Sequence, residues 1–200
     1  TVVANGDITF GGPAGSLVGT IKVTDTVSLT TVHTISQAIG ARIVAGSLRL
    51  DAEEGASLLG ANQIAQLRDI TTDTGGFAYR SARTGGVSIV GTIDAAGQTV
   101  DLRTANGALT QSGAGRILAQ RLTGASDTGV TLAGANQIAE LGAFTNTGGA
   151  FALNVDRALS VVGLVDSAGA IRIQSEGMTV AAAGTVRSSA TGAAVVLASD

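Results

Sequence analysis

The feature that most constrains this chain is that it repeats itself. Gly60-Ala61-Asn62-Gln63-Ile64-Ala65 recurs as Gly134-Ala135-Asn136-Gln137-Ile138-Ala139, an offset of 134 − 60 = 74. The same offset holds upstream without a gap. Ile35-Ser36-Gln37 lies against Leu109-Thr110-Gln111, Ala41-Arg42-Ile43 against Gly115-Arg116-Ile117, Leu48 against Leu122, and Leu58 against Leu132. A second anchor occurs three times at a spacing of 72: Ser16-Leu17-Val18-Gly19-Thr20-Ile21, Ser88-Ile89-Val90-Gly91-Thr92-Ile93 and Ser160-Val161-Val162-Gly163-Leu164-Val165. Self-similarity at a fixed period marks an array whose units bury their apolar faces against one another. A 72–74-residue super-repeat divides the chain into approximate units 1–18 (partial), 19–91, 92–163 and 164–200 (partial), all within one continuous segment. Neither end falls on a unit boundary, so the segment is expected to belong to a longer array.

Inside each unit the pattern is one of short strands. Val27-Ser28-Leu29, Val87-Ser88-Ile89, Val100-Asp101-Leu102, Val130-Thr131-Leu132 and Ile171-Arg172-Ile173 alternate apolar with polar, the period of a strand with one buried face. Turn-forming pairs punctuate them: Asn5-Gly6, Gly75-Gly76, Gly85-Gly86, Ala96-Gly97, Asn106-Gly107, Gly148-Gly149 and Glu176-Gly177. Only 60–67 and its copy 134–141 have a composition that suits a short helix, and their register with the flanking strands favours strand there too.

Three all-β architectures carry such a pattern. A sandwich has no reason to repeat at so long an interval. Propeller blades are shorter and usually bear aromatic signatures, whereas aromatics make up only 2% of this chain. A parallel β-helix fits best, because its narrow interior takes stacked Val, Ile, Leu and Ala, and its tight corners take Gly. The expectation is therefore an all-β solenoid of about ten coils. Gly19, Gly91 and Gly163, with Gly60, Asn62, Ile64, Gly134, Asn136 and Ile138, are its structural repeat anchors.

The phrase Leu132-Ala133-Gly134-Ala135-Asn136-Gln137-Ile138-Ala139-Glu140-Leu141, followed by Phe144 and Gly148-Gly149, resembles repeats in large secreted exoproteins of the filamentous haemagglutinin type. So does Val87-Ser88-Ile89-Val90-Gly91-Thr92-Ile93-Asp94. The resemblance extends over essentially the whole chain, and it implies a right-handed parallel β-helix, the exterior of a Gram-negative bacterium and export by two-partner secretion. The secretion domain of that family is not within these residues.

Chemistry is sparse by comparison. There is no cysteine, so neither a disulfide scaffold nor a thiolate metal site is available. His33 is the only histidine, and the matching position in the second copy is Gly107, so it reads as an ordinary surface residue. Asp94 and Asp166 both follow the Val-Gly anchor and are separated by a whole repeat, too many coils for a hydrolase carboxylate pair, so they are expected in turns. Glu53-Glu54 lacks the Gly-punctuated acidic loop that calcium prefers. Gly113-Ala114-Gly115-Arg116 lacks the Lys-Ser/Thr ending of a phosphate loop and reads as a tight corner. Asn62 and Asn136 are expected to cap corners, Phe77 and Phe151 to lie in the core, and Tyr79 to be exposed. Neither a catalytic site, a cofactor nor a metal is expected.

The net charge of −3 and the scattered arginines, with Lys22 the only lysine, disfavour nucleic acid. No apolar run is long enough to span a membrane. The expected role is a structural rod or fibre segment of a secreted surface adhesin, not an enzyme. Its partners would be neighbouring repeats, other copies in a filament, and a host or neighbouring cell surface. The alternatives are a polysaccharide-acting β-helical enzyme and a trimeric phage tailspike or fibre segment.

Overall fold

The computed structural model describes residues 1–10, 19–38 and 40–199, and the description below concerns these. Ser16, Leu17 and Val18 of the first anchor, together with Pro13, lie outside them. Eighteen strands and no helix occur among the described residues. Each strand lies parallel to its partners, which sit one turn away along the chain. The chain is a parallel β-solenoid.

Following one wall position from turn to turn exposes the construction. Ile8, Ile35, Ala56, Phe77, Val100, Leu122, Leu141, Val161 and Val180 are successive partners in register. These nine positions mark about nine turns, close to the ten expected. At the ~4.8 Å spacing of paired strands, nine turns make a rod about 40 Å long. Between Phe77 and Val100 the chain crosses two further columns. One runs Val87, Leu109, Val130, Phe151, Ile171, Val195. The other runs Val2, Leu29, Leu50, Ile70, Ile93, Ile117. Each turn therefore has three sides.

The alternation read from the sequence is the alternation of burial. Strand Phe77–Ser81 buries Phe77, Tyr79 and Ser81 while Ala78 and Arg80 turn outward, and Val87–Ile89 behaves likewise. A period of two sends alternate side chains inside, and stacking at the strand spacing brings each inward residue onto the one above it. Val27, Leu48, Leu58, Ile64, Leu67, Leu102, Leu132 and Leu153 join the columns above in one continuous apolar core, from which only the exposed column ends Val2, Val180 and Val195 are left out. The segments 60–67 and 134–141 fall within the long strands Ala56–Thr72 and Val130–Asn146, so the strand reading holds.

Several local expectations change. Tyr79 is fully buried, stacked on Phe77 with ring centroids 6.2 Å apart. Its repeat equivalent is Leu153, and the inward strand position takes the ring inside whatever its hydroxyl. Ala96-Gly97 and Glu176-Gly177 lie within strands Thr92–Thr104 and Ile171–Val180 rather than ending them. At the first, Gly97 has φ +80° and the register slips between Ala95 and Thr99, so the turn signal marks a bulge that bends the strand round a corner. Asp94 and Asp166 are strand residues too, in Thr92–Thr104 and Leu164–Ser167.

The sequence repeat and the turns are not commensurate. From Ile35, three turns lead through Ala56 and Phe77 to Val100, and the chain must run on from there to reach the repeat equivalent of Ile35, which is Leu109. Leu109 stands in the next column. Phe77 and its repeat equivalent Phe151 are displaced in the same way. One repeat is thus three turns and one side, and equivalent residues march round the rod from side to side.

Candidate functional site: a duplicated amide clasp at the corners

The residues that define the repeat converge on two copies of one polar cluster, each built into a corner of a mostly apolar interior. Strand Ile35–Gln37 delivers Gln37, and the next turn delivers Asn62 from Ala56–Thr72. The two amides face each other: Gln37 Nε2 donates to Asn62 Oδ1 at 2.8 Å, and Asn62 Nδ2 donates to Gln37 Oε1 at 3.1 Å. Asn62 Oδ1 also accepts the Ile43 backbone N–H at 2.9 Å, and its Nδ2 donates to the carbonyls of Leu58 at 2.9 Å and Arg80 at 3.3 Å. Gln37 Oε1 accepts the Gly60 N–H at 2.7 Å. Asn62 is fully buried, and every polar atom of its amide is used.

The second copy repeats this arrangement. Gln111 Nε2 donates to Asn136 Oδ1 at 2.7 Å, and the Ile117 N–H reaches the same oxygen at 2.8 Å. Gly134 N–H donates to Gln111 Oε1 at 2.9 Å. Asn136 Nδ2 donates to Gln111 Oε1 and to the carbonyls of Leu132 and Asn154. Here the strand bends, and backbone groups at the bend have no ladder partner, so the Asn side chain substitutes for one. An unpaired buried amide costs about 1–3 kcal/mol, which is why this residue type recurs at this place.

The glycine two residues before each Asn is required by the same cluster. A Cβ on Gly60 would overlap the Ala41 carbonyl oxygen and sit 2.7 Å from the Gln37 amide, and one on Gly134 would overlap the Gly115 carbonyl oxygen. Ile64 and Ile138 follow as fully buried core residues. The other anchor glycines share a backbone contact: the carbonyls of Gly19, Gly91 and Gly163 accept the N–H groups of Arg42, Arg116 and Thr185 on the following turn. At Gly91 and Gly163 the neighbouring turn comes within 2.9 Å of where a Cβ would be.

Smaller buried polar groups line another corner. Thr104 Oγ1 and Ser126 Oγ are 3.1 Å apart, both reaching the Gly107 carbonyl, and Asn146 Nδ2 donates to Ser167 Oγ at 2.9 Å. Sequence reading misses this hydroxyl and amide ladder, because the four positions mix three residue types and only their spacing of one turn each links them.

The surface carries ion pairs between turns. Arg49 with Asp69, Arg121 with Glu140 and Arg187 with Asp166 each join adjacent turns, while Arg103 and Asp101 pair along one strand. Arg187 holds the Asp166 carboxyl below its ordinary range by hydrogen bonding and charge. Asp94 and Asp166 stand on different sides of the rod, aligned with Leu118 and with Thr145 respectively, so they form no carboxylate pair. Asp101 has Ala78 and Thr123 as its neighbours on adjoining turns. The corner at 113–115 is a turn in which Gly113 has φ +63°. His33 is half-exposed, beside Glu54.

No family model, curated protein or solved structure matches this chain. No helix among the described residues is long and apolar enough to cross a membrane.

Proposed function

We propose that the chain is a rod segment of a secreted bacterial surface protein of the filamentous haemagglutinin kind, a scaffold for adhesion or filament formation and not a catalyst. The observation that carries this reading is what the repeat preserves. From one copy to the next the inward residues persist: Ile43 and Ile117, Leu48 and Leu122, Leu58 and Leu132, Ile64 and Ile138, Leu67 and Leu141, Phe77 and Phe151. Outward residues are kept less often: Arg42 and Arg116 persist, as do Gln63 and Gln137, but Arg49 becomes Thr123, Glu54 becomes Thr128, and Asp69 becomes Ala143. What is duplicated is the wall and corner of a tube. Export by a two-partner route and contact with a host or neighbouring cell belong to the same proposal.

The test is immunogold electron microscopy of intact source cells with antibodies raised against the folded chain. Thin rods decorated outside the cell envelope support the reading. Label confined to the cell interior overturns it.

A further inference from the structure

Near one end of the described rod, three successive turns each place one metal-ligating side chain at the same corner. Ile8, Ile35 and Ala56 are register partners, and Asp7, His33 and Glu54 sit one or two positions before them. Their ligand atoms all lie within 4.8 Å of one another. Asp7 is already oriented: its Oδ1 accepts the Thr34 backbone N–H at 3.0 Å and the Thr34 hydroxyl at 2.6 Å, which tips the carboxylate toward the His33 turn. His33 Nδ1 stands 3.5 Å from Glu54 Oε1, longer than a hydrogen bond between such atoms. That separation is close to the ~3–3.5 Å between two ligand atoms that share a tetrahedral zinc at ~2.0–2.2 Å. Side-chain rotation alone would complete the approach, since both His33 and Glu54 are about half-exposed.

We propose that Asp7, His33 and Glu54 bind one divalent first-row transition ion, with zinc the best match. One imidazole nitrogen and two carboxylate oxygens form a mixed set suited to zinc and its neighbours, whereas calcium and magnesium prefer oxygen alone. Three protein ligands leave at least one coordination position facing solvent. The ion would add a direct tie across three consecutive turns, beside the backbone ladder and the contacts of Thr31 with Gly6 and of Thr34 with Asp7. The proposal concerns this corner and does not depend on the rod's biological role. The intervals between the three ligands (33 − 7 and 54 − 33) follow the turn length and not a metal-motif spacing, so the cluster exists only once the coils are stacked.

The experiment is calorimetric titration of the metal-stripped full chain with zinc chloride, repeated for His33→Ala and for the double variant Asp7→Asn/Glu54→Gln. Circular dichroism confirms that each variant keeps the strand spectrum. The expected result is one zinc per chain, weakened at least about tenfold by either variant, unaffected by excess magnesium or calcium, and a zinc-dependent rise in the unfolding midpoint that His33→Ala abolishes. Absence of saturable zinc binding overturns the proposal. So does binding that survives in His33→Ala with unchanged affinity, or binding that calcium displaces equally well.

Discussion

Replacing Asn62 by Ala removes a side chain whose amide makes five hydrogen bonds. Three of the partners recover little elsewhere. The Ile43 N–H and the Leu58 carbonyl meet Asn62 in fully buried contacts, and the Arg80 carbonyl is partly covered. Gln37 is only partly buried and can turn its amide toward water. Counting two stranded backbone groups at about 1–3 kcal/mol each puts the loss at about 2–6 kcal/mol, before any cavity cost. Urea unfolding followed by circular dichroism reads this as a lower midpoint. Gln37→Ala alone should cost less, about 1–2 kcal/mol. The Gln37/Asn62 double variant should fall short of the sum of the two singles by about 1 kcal/mol or more, because each amide is the other's partner. A loss below about 0.5 kcal/mol for Asn62→Ala would refute the reasoning, since it would mean the bend's backbone groups find partners without the side chain.

Gly60→Ala and Gly134→Ala should each destabilise by about 3 kcal/mol or more, because the added methyl meets a backbone carbonyl that cannot rotate away; Gly6→Ala, with open space at its Cβ, should be near neutral in the same unfolding assay. Tyr79→Phe should be neutral or raise stability by about 1 kcal/mol, since the buried hydroxyl makes no hydrogen bond of ordinary geometry and burial pushes its pKa upward despite Ser81 and the Ile64 backbone nearby; a clear loss would show that the hydroxyl is well partnered. Asp7 and Asp166 have depressed pKa values, through Thr34 hydrogen bonds and through Arg187 respectively. A folded-state pKa below the unfolded value contributes stability at neutral pH that disappears as pH falls through the carboxylate range. Asp166→Asn should therefore flatten the acid limb of the stability profile slightly, and an unchanged limb would contradict the Arg187 pairing.

The parts of the fold legible in the sequence are those that local rules govern. The coils can be read because two-residue alternation and the Gly corners are local, and the core follows from them. Tyr79 misleads because side-chain polarity competes weakly against an inward strand position stacked on Phe77. Gly97 and Gly177 mislead because a glycine signals a sharp backbone change without saying whether the strand ends or bulges. The clasp is half visible: Asn62 and Asn136 stand out through repetition, and Gln37 and Gln111 align with each other. Their pairing with the asparagines needs the turn stacking that brings 37 next to 62 and 111 next to 136. The Asp7, His33 and Glu54 corner is invisible for the same reason.

The central claim is a three-sided parallel solenoid in which each sequence repeat advances by three turns and one side. Ser57, Ala78, Asp101 and Thr123 form one outer column, whereas Thr131, the repeat equivalent of Ser57, stands in the column of Gln66, Ser88 and Thr110. Pulsed electron-electron resonance distances between spin labels at 57 and 123, and at 57 and 131, test this directly. The account predicts the shorter distance for 57 and 123, whose backbones lie about 14–15 Å apart after three strand spacings. A shorter distance for 57 and 131 would mean that the repeats stack side upon side, and would contradict it.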